Sequence, residues 1–146
     1  MFTESINVKG NLEVILIDEN GKQKDYRKVN NLVVAVGKDT IASRMVGNTT
    51  AIMSHMAVGS SNTAATTSQT SLGGELGRVA LDSTTRSSNT ITYVATFPAG
   101  TGTGAITEAG ILNASSSGNL LCRTVFGVVT KAAGDTVVIT WNVTVA

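Results

Sequence analysis

Cysteine is almost missing from this chain. Cys122 stands alone, so neither an internal disulfide nor a cysteine cluster for zinc can form. Set in LLCRTVF, it reads as a small side chain of a core or an interface. Histidine also occurs once. His55 lies among Ile52, Met56 and Val58 and reads as a hydrogen-bonded structural residue; a Ser-His-Asp triad could be built only on it, and no GxSxG elbow marks a nucleophile. Apart from the neighbours Asp18 and Glu19 the ten acids are scattered singly, which leaves no pattern for a metal site, and no phosphate-binding glycine loop opens a helix. No cofactor is expected and no enzymatic activity. Aromatic residues make up 4% of the chain, too few for a stacking platform on nucleic acid or a sugar-binding cleft.

Charge is scarce too. Charged residues amount to 14%, against about 25% in ordinary globular proteins. Much of the surface must therefore be Ser, Thr, Asn and Gly, or be covered by other subunits. The net charge of +1 gives no basic groove for nucleic acid and no patch for an anionic membrane. Apolar runs never approach the ~20 residues of a membrane span, and MFTESINVKG has no basic segment leading into an apolar one. The expectation is a protein made in the cytoplasm and released, if at all, by lysis.

What the chain does have is alternation. At 146 residues it fits one domain, 1–146, with a core of its own. In INVKGNLEVILID the residues Ile6, Val8, Leu12, Val14 and Leu16 share one parity, with Gly10 as a candidate bulge. Asn20-Gly21 predicts a hairpin turn and Lys22 to Val29 the return strand. The N-terminal strands within 1–30 thus read as a hairpin or arm available for assembly. Ile91 to Phe97 and Val137 to Val145 alternate as half-buried strands. Ile52 to Val58, Leu76 to Asp82, Ala105 to Leu112 and Asn119 to Val129 complete a set of roughly eight. Val34, Ile41 and Met45 instead fall at helical spacing, and Gly47 suits the position past a helix end. The fold class is mainly β, a sandwich or jelly-roll-like domain with one short helix. Ser60 to Ser71, without charge or large apolar groups, predicts a loop lying over the surface or over a neighbour.

Four charges stand out because they lie on these strands among small and apolar residues. Glu75 and Arg78 fall in LGGELGRVAL, Glu108 in AITEAGIL and Arg123 in LLCRTVF. An unpaired buried charge costs several kcal/mol, so the expectation is bidentate pairing of Glu75 or Glu108 with Arg78 or Arg123. Such pairs would fix strand register or a subunit contact, with Gly73, Gly74 and Gly77 letting backbone pass close to backbone.

The succession NLVVAVGKDTIASRM, SHMAVGSSNTAATTSQTSLGGELGR, ITYVATFPAGTGTGAITEAGIL, LLCRTVF and ITWNVTV resembles small structural virion proteins of tailed bacteriophages, from about Asn31 onward. The resemblance implies a β-rich fold, homotrimers, no enzymatic activity, and a place in the virion. The partners it implies are the major capsid protein and further copies of the chain. A capsid decoration (cement) protein, a tail or fibre module, and a small carbohydrate-binding sandwich are the competing functions. The short length and the lack of internal repeats favour decoration over a fibre, and the poor aromatic inventory disfavours sugar binding.

Overall fold

The computed structural model describes residues 4–47 and 50–146. Its strands are β1 Val8–Ile17, β2 Gln23–Asn30, β3 Leu32–Val33, β4 His55–Gly59, β5 Glu75–Ala80, β6 Ser83–Ser87, β7 Thr90–Phe97, β8 Gly104–Leu112, β9 Leu120–Lys131 and β10 Thr136–Val145, with one helix, α1, over Ala35–Met45. Among the described residues the strands form two five-stranded sheets, ordered β2-β1-β10-β7-β6 and β3-β9-β8-β4-β5. Each paired ladder is antiparallel.

Period-two patterning places the core between the sheets. Leu12, Val14 and Leu16 of β1, Tyr93, Ala95 and Phe97 of β7, and Val137, Ile139, Trp141 and Val143 of β10 face Met56, Val58, Ile106, Ala109, Ile111, Cys122 and Val129 of the second sheet. Burying one such aliphatic side chain contributes roughly 1.5–3 kcal/mol, so this interior dominates the stability. A second apolar cluster, Val34, Ala57, Leu72, Leu112 and Leu120, sits apart from it. Leu72 comes from the long β4–β5 connection, so that connection covers apolar surface of its own chain.

All eight expected strands form, and two more join them. β6, STTRS, is exposed throughout and pairs with β7 at a sheet edge; with no buried face it carries no apolar alternation. β3 is two residues long and pairs with β9 just before the helix. The hairpin joining β1 to β2 is present, but only Gly21 of the Asn20-Gly21 pair has positive φ, at 83°. The turn bond runs from Gly21 N to Asp18 O, while Asp18 Oδ1 accepts from the backbone N–H groups of Asn20 and Lys22. This is a three-residue loop closed by a left-handed glycine.

Gly10 is not a bulge. β1 runs in unbroken register past it, Gly10 opposite Val143, and a Cβ there would collide with the Asn31 side chain. That amide lies against the glycine and accepts a 2.8 Å hydrogen bond from Trp141 Nε1. The buried indole N–H is thereby satisfied.

The helix starts at Ala35 and ends before Gly47, whose φ is 70°. Its buried residues are Gly37 and Thr40, and Ile41 packs on the main core, whereas Met45 is 83% exposed. The inward face is thus rotated from the one that Val34, Ile41 and Met45 suggest. Gly37 is the reason, since a Cβ there would strike the backbone carbonyl of Leu121. Its absence lets α1 press directly on β9.

Candidate functional site

Register brings the four singled-out charges to one sheet. Arg78 of β5 is opposite Ala57 of β4, Ala57 opposite Gly110 of β8, and Gly110 opposite Arg123 of β9. Gly59 is likewise opposite Glu75 on one side and Glu108 on the other. Small residues separate the charges for a steric reason. A Cβ on Gly59 would lie 2.5 Å from Glu108 Oε2, and one on Gly110 would lie 2.9 Å from a methyl of Leu72. The missing side chains leave room there for the Ser60–Gly74 loop to lie on the sheet.

Glu108 has no exposed surface and four donors. Oε1 accepts from Gly73 N at 2.8 Å and Arg123 Nε at 3.0 Å. Oε2 accepts from Gly74 N at 2.7 Å and Ser61 N at 2.9 Å. Burial pushes this carboxyl's pKa up, but the backbone N–H groups of Gly73, Ser61 and Gly74 together with Arg123 more than offset that and hold it below the ordinary value. Both ends of the loop are thus fastened to one carboxylate.

Arg123 is 1% exposed. Beyond Glu108 it donates from Nη1 to Thr63 O at 2.9 Å and Gln69 Oε1 at 3.1 Å, while its Nη2 is buried without a partner. An unsatisfied buried donor costs on the order of 1–3 kcal/mol. The other pair differs. Arg78 grips Glu75 with two bonds, Nη2 to Oε1 at 2.7 Å and Nε to Oε2 at 3.2 Å. Its Nη1 donates to the carbonyls of Ala114 and Ser117, each at 2.9 Å. It therefore ties the edge strand to the β8–β9 turn. Of these two pairs Glu75–Arg78 is the bidentate one, because backbone donors occupy most of Glu108.

Gly77 also serves a close approach: a Cβ there would lie 2.7 Å from Gly102 N. Gly73 and Gly74 leave room for the side chains of Ser61 and Ser60 and supply two of the donors to Glu108. The loop also caps the helix, since Thr67 O accepts from Ala35 N at 2.8 Å.

Cys122 is fully buried in the main core, and burial drives its thiol pKa far up. His55 Nδ1 meets Ser54 Oγ at 2.8 Å. Among the described residues no three His, Cys, Asp or Glu side chains gather where they could hold a metal ion.

One charged group goes unnoticed in the sequence. Lys131 is 1% exposed and donates to Pro98 O at 2.9 Å, while Asp135, 4% exposed, takes Lys24 Nζ at 2.7 Å and Ala132 N at 2.9 Å. Burial lowers the Lys131 pKa, partly countered by Asp135. KAAGD looks only like a turn, and the sole hint was a charge at each end of it.

No family model matches the chain, and neither a curated protein nor a solved structure matches it. The class that the fold defines is an antiparallel β-sandwich carrying a charge-pinned loop on one sheet.

Proposed function

We propose that the protein is a structural component of a tailed-phage virion, a decoration protein that binds the assembled capsid and stabilises it. The observation that carries this reading is a set of exposed apolar side chains at the end of α1 and on the segments beside it. Ile52 is 65% exposed, and Met45 and Val46, at the end of α1, are 83% and 82% exposed. Ile52 lines an apolar depression with Ile41, Met53, Ile91 and Val143. Ile41 also lines a neighbouring depression with Ile6, itself 72% exposed. Grouped exposed apolar residues mark surfaces that associate. The low charge and the likeness to small virion proteins favour the capsid as the partner.

On this reading the protein acts by mass action. It binds the closed shell and not separated subunits, so the shell's tolerance of heat or pressure rises with occupancy. Glu75, Arg78, Glu108 and Arg123 serve within the chain, keeping the sheet and its loop in one shape for docking. Copies of the chain associate as a homotrimer at the junction of capsomers.

Adding purified protein to capsids that lack it, followed by imaging, tests the proposal. Density regularly spaced over the shell is the expected result; density at a single vertex would replace decoration with a tail role. Light scattering of the free protein should give a trimer, and a monomer at micromolar concentration would contradict that part.

A further inference from the structure

We propose that the depression over Arg123 is a binding site for a small oxyanion group, a carboxylate or a phosphate. It measures about 410 Å³ and is walled by Ser61, Thr63, Ser68, Thr70 and Ser71 of the β4–β5 loop, with Arg123 contributing from the sheet. Three features point to an anion. The first is Arg123 itself, whose Nη2 has no partner although its other two nitrogens are engaged. The second is the wall: beside Gln69, Leu72 and Gly73 it carries five hydroxyl groups able to donate, and no acidic residue lines the depression. The third is Glu108. Four donors already saturate it, so it has no lone pair directed at Nη2, and the guanidinium keeps a free edge of the kind that oxyanions fill.

The volume also exceeds the ~30 Å³ share of one water by more than tenfold, so there is room for a polyatomic group. Nη2 has almost no accessible surface, and uptake is therefore coupled to a shift of the Ser68–Ser71 segment. That segment is exposed except for Gln69 and belongs to neither sheet. This role is independent of whether the protein joins a virion.

The test is a nitrogen-15 NMR titration of the full chain with sodium phosphate and, separately, sodium acetate, with sodium chloride at matched ionic strength as control. The expected result is saturable shifts confined to the amides of Ser61–Gly73 and the Arg123 side chain, with a Kd on the order of millimolar. Response to acetate assigns a carboxylate source, such as an acidic side chain of a partner; response to phosphate assigns phosphate; either supports the site. Arg123→Lys keeps the charge and loses the fork, so binding should weaken at least about tenfold. Because that change touches a buried pair, Ser71→Leu provides a second test. It fills the depression from an exposed position and should block binding with melting unchanged. Shifts equalled by chloride, shifts scattered over the surface, or an unaltered Kd in folded Ser71→Leu would each overturn the proposal.

Discussion

Glu108 shows how one residue can organise a loop that has no secondary structure. Three of its four hydrogen bonds come from backbone N–H groups at the two ends of the connection. Glu108→Gln keeps the size and removes the charge opposite Arg123, and breaking a buried pair costs about 3–5 kcal/mol. The urea midpoint should drop accordingly, and a midpoint equal to wild type would contradict the pinning role. The pH dependence has a definite sign. Since the folded pKa lies below the ordinary 4.5, the unfolded chain takes up the proton first on acidification. Stability is whole above about pH 4.5 and is lost as pH falls through the folded pKa, a dependence that Glu108→Gln should weaken. At the alkaline end, burial first, and then the Cys122 thiol, push Tyr93 from 10.0 up to about 12. The unfolded chain loses that proton first, so stability falls between pH 10 and 12. Lys131, with its pKa lowered, contributes the opposite slope below 10.5, so the comparison must be with Tyr93→Phe. That variant should lose less of its melting temperature across this window; an identical loss would exclude Tyr93 as a source. That these strands carry acids and bases needing partners was legible in the sequence. That Glu108's main partners are main-chain donors was not, because a loop's N–H groups have no side-chain signature.

Strands were legible wherever one face is buried and the other is not. β1, β7 and β10 alternate in the sequence as they do in the sheet. β6 escaped because an edge strand exposed on both faces needs only backbone bonds to β7, and its polar side chains suit an edge that must not recruit another strand. The helix was legible as a helix, but its inward face was not, because the residue that sets it is a glycine without hydrophobic signal. Gly37→Ala tests that point. Alanine is the better helix former by about 1 kcal/mol, yet here its methyl meets the Leu121 carbonyl. Overpacking of this kind costs about 1–3 kcal/mol, so thermal melting should show net destabilisation. A stabilised variant would mean that α1 does not press on β9. Arg78→Lys probes the opposite edge. Lysine cannot hold Glu75 and two carbonyls at once, so amide exchange in the β8–β9 turn should speed up while exchange in β1 and β10 stays unchanged; uniform exchange would contradict a local tether.

Across the whole molecule, the sandwich separates two kinds of surface. The outer side of one sheet is covered by the chain's own loop, and its charges meet in two pairs. The end beside α1 leaves Met45, Val46 and Ile52 in water. Sequence alone could not single out this end. Met45 and Ile52 look like core residues in a periodic reading, and only the rotation of the helix and the start of β4 at His55 turn them outward. The proposed docking therefore rests on these side chains. The most direct measurement is co-sedimentation of wild type and a Met45→Ser, Ile52→Ser double variant with capsids lacking the protein. Both positions are exposed, so the variant should melt like wild type. Saturable binding by wild type and a loss of binding by the variant are the predicted results; equal binding by both, or none by wild type, would contradict capsid docking through this end.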